Sequence, residues 1–164
     1  MKVYIASCFA DKARVAQRSS ELRALGIIPT NRWHAENAPH NGTINDFPDE
    51  YLRETAVFDV EDIEAANTFI LTVPSELEMA DMTIRSLSRG GRHFETGLFY
   101  GLMLTDLRKK GHTNRQLIIL GSRENVFHFL DGQSLTSFYP TIKQIDTWEQ
   151  VKEHLVEKKN SCHT

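Results

Sequence analysis

The sequence predicts an α/β fold with a doubly wound sheet of five parallel strands in a single domain. Short apolar runs alternate along the 164 residues with longer segments that carry apolar residues at helical spacing. One run, residues 68–73, is apolar almost throughout, as expected for a strand that helices cover on both faces. These observations predict strands joined by right-handed helical crossovers, with helices on both sides of the sheet.

The first elements follow from simple local signals. Residues 3–6 are strand-forming and apolar, and they predict the first strand. Residues 12–25 alternate charged and apolar groups at helical spacing, and Gly26 supplies a stop. The next strand, 26–30, contains Pro29, which lacks an N–H donor. It is therefore expected at an edge of the sheet.

The same signals give the rest of the chain. A capping box of Thr147 and Gln150 starts the last helix, and residues 158–164 are predicted to be a polar tail after a domain of residues 1–157. The remaining predicted strands span 68–73, 116–120 and 141–145. The remaining predicted helices span about 49–66, 94–110 and 147–157. This order predicts a flavodoxin-like three-layer sandwich, in which ligands bind at the carboxyl ends of the strands.

Composition limits the possible partners. A net charge of -3 and 40% hydrophobic residues describe an ordinary soluble protein without the basic excess that nucleic-acid polymers require. The two cysteines form no CxxC pair, and the seven histidines have no metal-ligand spacing, so we expect neither a metal nor another cofactor. No signal peptide or membrane span is apparent, which makes the cytoplasm the expected location.

Two segments at the predicted ligand edge carry candidate site residues. Trp33 stands in a polar loop, where it would either stack on a planar base or anchor the loop. Asp59 falls on an otherwise apolar helical face, where an ionised carboxylate is costly unless something pairs with it. Alternatively, Asp59 lies at the margin of that face beside solvated Glu61 and Asp62.

The stretch 88–97 concentrates glycines, cations and one acid between an apolar strand and an apolar helix. We expect its glycines, including Gly91, to shape a corner at the helix start, where unpaired N–H groups attract anions. Arg89, Arg92 and His93 would add donors for phosphate or carboxylate, although surface arginines often have no such role. Glu95 would lie in the first helical turn, a position that the helix dipole also favours for purely structural reasons. The preceding residues 75–87 have no clear period, and we interpret them as a lid.

Four of these motifs together resemble the nucleoside 2-deoxyribosyltransferases and the related deoxynucleoside 5′-monophosphate N-glycosidases. The four are a first strand with a tyrosine (3–6), a D-x-x-x-I-x-x-A helix (59–66), the glutamate segment (91–97) and a late Asn-Val-Phe element (125–127). The resemblance covers most of the chain. No Walker A lysine motif and no GxGxxG motif compete with this interpretation.

The resemblance implies roles for individual residues. Glu95 would attack the anomeric carbon of a 2-deoxyribosyl group, Asp59 would manage the proton of the leaving base, and Tyr4 would orient Glu95. Partial burial would raise the pKa of Asp59 toward that of a general acid. Asn125 would reach the sugar from a neighbouring subunit, which implies a homo-oligomer. Ser7 and Phe9, after the first strand, would line the same crevice.

The sequence leaves the substrate open. Ser88 and the cations beside it would suit a 5′-phosphate, so hydrolysis of deoxynucleoside 5′-monophosphates is an alternative to base exchange on free deoxynucleosides. The expected partners are in either case a small nucleoside or nucleotide and a nucleobase. A nucleotide-binding sensor without turnover is a further alternative, although it would not need Glu95 and Asp59 together.

Overall fold

The computed structural model describes residues 1–8, 11–35, 47–73, 89–131 and 139–161. Its centre is one sheet of five parallel strands in the order β2-β1-β3-β4-β5. The strands are β1 (Lys2–Ala6), β2 (Ile28–Pro29), β3 (Thr68–Thr72), β4 (Gln116–Leu120) and β5 (Ile142–Ile145). This order reverses direction between β1 and β3, and it confirms the doubly wound, flavodoxin-like class that the sequence predicts.

In the described part of the chain, four α-helices cover the two faces of this sheet. They are α1 (Lys12–Ala24), α2 (Asp49–Ala65), α3 (Arg89–Lys110) and α4 (Trp148–Ser161), and two short 3-10 helices span Trp33–Ala35 and Val126–Phe129. On one face α1 contacts α4, since the indole N–H of Trp148 donates to Glu21 at 2.6 Å. On the other face α2 and α3 pack together over β1 and β3. The second pair is the one that carries the predicted acids.

The three central strands form the core because their side chains are apolar on both faces. All five residues of β3 are buried, as are the last four of β1 and of β4. Tyr4 of β1 stands opposite Phe69 of β3, and their rings stack at 5.4 Å. Phe69 in turn contacts the ring of Phe99 on α3 at 5.2 Å. A series of three rings thus joins the first strand to α3 through the core.

Predicted and observed boundaries differ mainly at the ends of elements. β2 is only two residues long, although Pro29 lies at the sheet edge as predicted. Gly26 ends α1 with a positive φ of 67°. Helix α4 continues through residues 158–161, so the first part of the predicted polar tail is helical, and Lys159 donates to the carbonyl of Leu25 at 3.0 Å.

Helix α3 corrects two expectations. It begins at Arg89 and includes Gly91, so the glycines form its first turn, and Gly91 does not use a left-handed backbone angle. The spacing of residues 94, 97, 98, 101, 102 and 105 predicts that they form the inner face of this helix, and that expectation is wrong in part. Phe94 is 70% exposed, whereas Arg92, Phe99 and Met103 are buried. The buried face is shifted because the packing against α2 and the sheet selects other residues of the helix. Gly97 and Gly101 are not at a close contact, since a Cβ added at either would meet nothing within 4 Å.

Among the described residues, no helix is both long enough and apolar enough to cross a membrane.

Candidate active site

Tyr4, Asp59 and Glu95 meet at one point of the sheet, from three different elements. The Tyr4 hydroxyl on β1 lies 3.4 Å from Oδ1 of Asp59 on α2. The same hydroxyl hydrogen-bonds Glu95 on α3, and the charge of Asp59 acts on Glu95. They meet because α2 and α3 pack side by side on the face of the sheet to which Tyr4 points. Two acids from separate helices therefore flank one buried phenol.

Burial and mutual repulsion change the acidity of Glu95. Desolvation is the largest cause and the Asp59 charge the second, and together they raise the pKa of Glu95 to about 7. The hydrogen bond from Tyr4 acts in the opposite direction and lowers this pKa. At neutral pH the Glu95 carboxyl is thus poised between its two protonation states. The raised pKa that the sequence predicts for Asp59 stays a prediction, and the structure adds a raised pKa at Glu95.

The phenol of Tyr4 stays protonated at every pH at which the protein would work. Its pKa is raised, first by burial and then by the charges of Glu95 and Asp59. A neutral phenol has a single O–H, so it donates to only one carboxylate at a time. A simultaneous bond to both acids requires that one acid be protonated and donate to the phenol oxygen. The geometry therefore suits a site in which two acids hold one shared proton.

A second polar group lies one helical turn before Glu95. The Arg92 side chain is 2% exposed, and its Nη2 donates to Oε1 of Glu124 at 2.6 Å. Glu124 follows β4, and its backbone N–H donates to Nδ1 of the buried His128 at 3.1 Å. Burial, followed by the charges of nearby cations, lowers the pKa of His128 even though Glu124 opposes the shift. Of the two positions that the sequence leaves open for Arg92, the structure therefore excludes the solvent-exposed one.

Comparison with solved structures identifies the fold. A 2-deoxyribosyltransferase from Bacillus psychrosaccharolyticus superposes with a TM-score of 0.51 at 16% identity, and the match covers 93% of this chain and 90% of that chain. The chain therefore has the fold of a 2-deoxyribosyltransferase. The resemblance that the sequence indicates is confirmed at the level of the fold.

Two further structures were found in the same comparison. A CMP N-glycosidase, BcmB, from Clostridium botulinum has a TM-score of 0.49 at 15% identity, over 94% of this chain and 98% of that one. A conserved protein from Enterococcus faecalis V583 has a TM-score of 0.49 at 16% identity, over 98% of both chains. No protein-family model and no curated protein sequence matches the chain.

The sequence allows Trp33 either to stack on a base or to anchor its loop. On this 2-deoxyribosyltransferase fold it anchors the loop. It is 8% exposed, and its indole N–H donates to the carbonyl of Ile5 at 3.1 Å. A ring enclosed in this way has little surface on which a base could stack, which corrects the expectation of a stacking platform. Ser7, after β1, donates to Oδ2 of the buried Asp11 at 2.8 Å, so its hydroxyl shapes the start of α1.

The remaining predicted residues have mixed outcomes. His93 is half-buried on α3, close enough to His128 for its charge to be felt there. Gly91 is exposed. The side-chain oxygen of Asn125 accepts the N–H of Phe127 at 3.0 Å and caps the second 3-10 helix. Phe9, Ser88, the side chain of Arg89 and the predicted lid 75–87 lie outside the described residues.

Sequence reasoning missed the anchor of the loop after β2. Asp62, which it took for a solvated residue, is buried, and it accepts the backbone N–H of Arg32 at 2.7 Å and the Nε of Arg32 at 2.9 Å. The guanidinium also lies over the ring of Phe58, 4.3 Å from its centre. The available signal was the position of Asp62 beside Ile63 on the inner side of α2. This anchor fixes the segment that carries Trp33.

The described part of the chain contains no cluster of three or more histidines, cysteines or acids that could hold a metal ion.

Proposed function

We propose that the protein cleaves the N-glycosidic bond of 2′-deoxynucleosides through a deoxyribosyl–Glu95 intermediate and transfers the sugar to a second nucleobase. The convergence of Glu95, Asp59 and Tyr4 carries this proposal. Two acids at the carboxyl edge of a doubly wound sheet are the equipment of a retaining glycosidase. The fold shared with a 2-deoxyribosyltransferase and the resemblance of the sequence motifs to that family support the same activity.

Each group has a separate role in the proposed reaction. The Glu95 carboxylate attacks the anomeric carbon as the C–N bond to the base breaks, and it forms a glycosyl ester. Asp59 gives its proton to the departing base and, in the second half-reaction, takes one from the incoming base. Tyr4 donates its hydrogen bond to Glu95 and aligns the attacking oxygen. If water attacks the ester instead of a base, the same residues perform hydrolysis.

Substitution of the nucleophile tests the proposal directly. We expect Glu95→Gln to abolish base release from deoxynucleosides, measured by chromatography with and without a second free base. Mass spectrometry of the wild type with substrate should detect a protein heavier by one deoxyribosyl group. Glu153→Gln, which changes an exposed glutamate on α4, is the matched control and should behave like the wild type. Unchanged base release by Glu95→Gln would refute this function.

A second candidate function is hydrolysis of deoxynucleoside 5′-monophosphates, and Arg92 is the observation that favours it. Two of its nitrogens, Nε and Nη1, are buried and have no hydrogen-bond partner among the described residues. Incubation with paired substrates separates the two functions. Base exchange on unphosphorylated compounds favours transfer, while sugar phosphate from monophosphates alone favours hydrolysis. A sensor without turnover would bind these compounds and release no base from any of them.

We also propose that the protein assembles with a second copy of itself near the active site. Val126, Phe127 and Phe129 project from the turn after β4 with 58–76% exposure, and Phe94 beside Glu95 is 70% exposed. Exposed aromatic groups beside a ligand crevice are typical of protein contact surfaces. A partner chain there would bring Asn125 of one copy toward the sugar bound to the other, as the family resemblance implies.

The oligomeric state tests this assembly. Light scattering coupled to size-exclusion chromatography should show a dimer or larger species for the wild type and a monomer for Phe127→Asp. Ile28→Asp, which adds the same charge at an exposed position on the opposite edge of the sheet, is the control and should still assemble. A monomeric wild type at micromolar concentration would contradict the proposed assembly.

A further inference from the structure

His154 on α4 stands in the middle of a chain of polar side chains that links this helix to three strands. The ammonium of Lys143 on β5 lies 3.0 Å from Nδ1 of His154, and Nε2 of His154 lies 3.1 Å from Oε1 of Gln116 on β4. The amide nitrogen of Gln116 in turn donates to the Thr68 hydroxyl on β3 at 2.9 Å. Gln116 and Thr68 are the first residues of their strands, so the chain lies at the amino edge of the sheet, opposite the candidate active site.

These partners decide the protonation state of His154. A lysine ammonium has three donors and no acceptor, so Nδ1 must accept from Lys143 and can carry no proton. The amide nitrogen of Gln116 is used on Thr68, which leaves its oxygen to face Nε2, so Nε2 must carry the proton and donate it. Both contacts are therefore satisfied only by the neutral imidazole. A second proton, on Nδ1, would place two cations 3.0 Å apart.

The charges around His154 act in the same direction. Burial is the largest cause of its lowered pKa, followed by the charges of Lys143 and Lys158, whereas Glu157 opposes the shift. The side chains that face the ring from β4 and β3 are the uncharged amide and hydroxyl described above. Glu21 of α1 also reaches α4, but its carboxylate is bonded to other side chains of that helix. The surroundings therefore favour the neutral ring.

The contact lies beside the face by which α4 packs on the sheet. Val151 and Leu155 are fully buried there, and His154 is three residues from the first and next to the second. Its two contacts join this part of the helix to β4 and β5. Without them, α4 would depend on its apolar face and on the contacts of Trp148 and Lys152 with α1.

We propose that His154 is a proton-sensitive latch, which fastens α4 to β4 and β5 when it is neutral and loosens the helix when it is protonated. A proton on Nδ1 abolishes the bond from Lys143 and repels that ammonium, while the bond to Gln116 alone remains. Because the pKa of His154 is lower in the fold than its ordinary value of 6.5, the latch is fully closed above pH 6.5 and opens as the pH falls through the folded pKa. The latch does not depend on the proposed glycosidase chemistry, since it lies at the opposite edge of the sheet.

Hydrogen–deuterium exchange on the full chain tests the latch. Mass spectrometry measures the protection of the α4 amides at pH 7.5 and pH 5.5, with the intrinsic effect of pH removed. The variant is His154→Gln, whose side chain keeps one donor group and one acceptor but cannot be protonated. We expect the protection factors of α4 to fall at least twofold further in the wild type than in His154→Gln.

Two other histidines make this comparison with a variant necessary. Burial also lowers the pKa of His34 and of His128, so acid weakens the fold through them as well. Their contribution is common to the wild type and His154→Gln, and the difference between the two proteins reports on His154. His112→Gln, at an exposed histidine after α3, is the matched control and should keep the wild-type loss of protection. An equal loss in the wild type and in His154→Gln would overturn the proposal.

Titration of the ring itself gives a second test, on a variant that leaves His154 in place. Lys143 is exposed, and Lys143→Gln removes the cation that faces Nδ1 without changing the core. The NMR signal of the His154 ring should therefore titrate with a midpoint at higher pH in Lys143→Gln than in the wild type. Lys109→Gln, at an exposed lysine of α3, should leave the midpoint unchanged. A midpoint that is the same in Lys143→Gln and the wild type would show that the lysine does not control the proton, and the latch would be refuted.

Discussion

The hydroxyl of Tyr4 lies 3.4 Å from a carboxylate oxygen of Asp59, a distance longer than a strong O–H···O hydrogen bond. The phenol also hydrogen-bonds Glu95, and that bond stabilises the ionised form of Glu95. The single phenolic proton is therefore best used on Glu95, the acid that the proposed reaction needs in its ionised form. Asp59 remains close enough to repel that charge and to raise the pKa of Glu95.

This relationship predicts how activity depends on pH. Since the proposed reaction needs one ionised acid as the nucleophile and one proton for the departing base, kcat/KM for base release should fall as the pH rises through about 7, where the pair loses its last proton. Tyr4→Phe removes the hydrogen bond that lowers the pKa of Glu95, so its midpoint should move to higher pH. The measurement is kcat/KM for base release by the wild type and by Tyr4→Phe at pH values between 5 and 9. A midpoint that stays the same or moves to lower pH in Tyr4→Phe would contradict the assigned role.

The Glu95 carboxyl also makes the free energy of unfolding depend on pH. Because burial raises the pKa of Glu95 from 4.5 to about 7, the folded state binds its proton more tightly than the unfolded state. That contribution is fully present below pH 4.5 and is lost as the pH rises through 7. Glu95→Gln carries no charge at any pH, so at pH 8 it should be more stable than the wild type by on the order of 3 kcal/mol.

Urea unfolding at pH 4.5 and pH 8 measures this difference. The two proteins should be nearly equal in free energy of unfolding at the lower pH and should diverge at the higher one. Glu153→Gln again serves as the control, because its glutamate is exposed. A Glu95→Gln protein that is less stable than the wild type at pH 8 would show that the carboxylate is stabilised in the fold, contrary to the raised pKa.

The sequence predicted the fold and the convergence of the two candidate acids for separate physical reasons. The central strands are nearly continuous apolar runs, and such short runs favour buried strands over any other element. Asp59 was detectable because a carboxylate interrupts an apolar helical face, which requires a local explanation. Glu95 was detectable as the one acid in a stretch of glycines and cations at a helix start, although α3 begins at Arg89, so Glu95 lies in its second turn and not in the predicted first. These signals are local in the chain.

The burial of Arg92 and Asp62 was not predictable in this way. Each is buried because a distant residue reaches it. Glu124 is 32 residues from Arg92 in the sequence, and Arg32 is 30 residues from Asp62. The apolar pattern of α3 is also misleading, since Phe94 faces outward and Arg92 inward. Periodicity assigns charged residues to the surface, and only the tertiary partners reverse that assignment.

The Arg32–Asp62 contact predicts a stability cost that depends on burial. Asp62→Asn weakens two hydrogen bonds to a buried group and should reduce the free energy of unfolding by about 1–3 kcal/mol. Glu61→Gln removes the exposed partner of the same arginine, 2.9 Å from it, and should change stability little. Chemical denaturation of both variants makes the comparison. Equal effects would mean that Asp62 does not anchor the loop.

Two glycines predict opposite effects of the same substitution. Gly121 has a φ of 103°, and an added Cβ would lie 2.7 Å from the carbonyl oxygen of Val73. Gly121→Ala should therefore destabilise the protein by at least about 2 kcal/mol. Gly97 is helical and exposed, with nothing near an added Cβ, so Gly97→Ala should stabilise it by up to about 1 kcal/mol. Thermal unfolding that ranks the two in the reverse order would contradict this reasoning.

The stacked rings of Tyr4, Phe69 and Phe99 connect the orienting phenol to the helix that carries Glu95, one turn from Phe99. Under the proposed mechanism, the alignment of Tyr4 with Glu95 is consequently set by the hydrophobic interior and not by the loops that surround the crevice. Under the same proposal, changes in those loops would alter base preference while Tyr4 and Glu95 keep their alignment. Conversely, a change of shape beneath α3 would disturb the chemistry even though it touches no substrate.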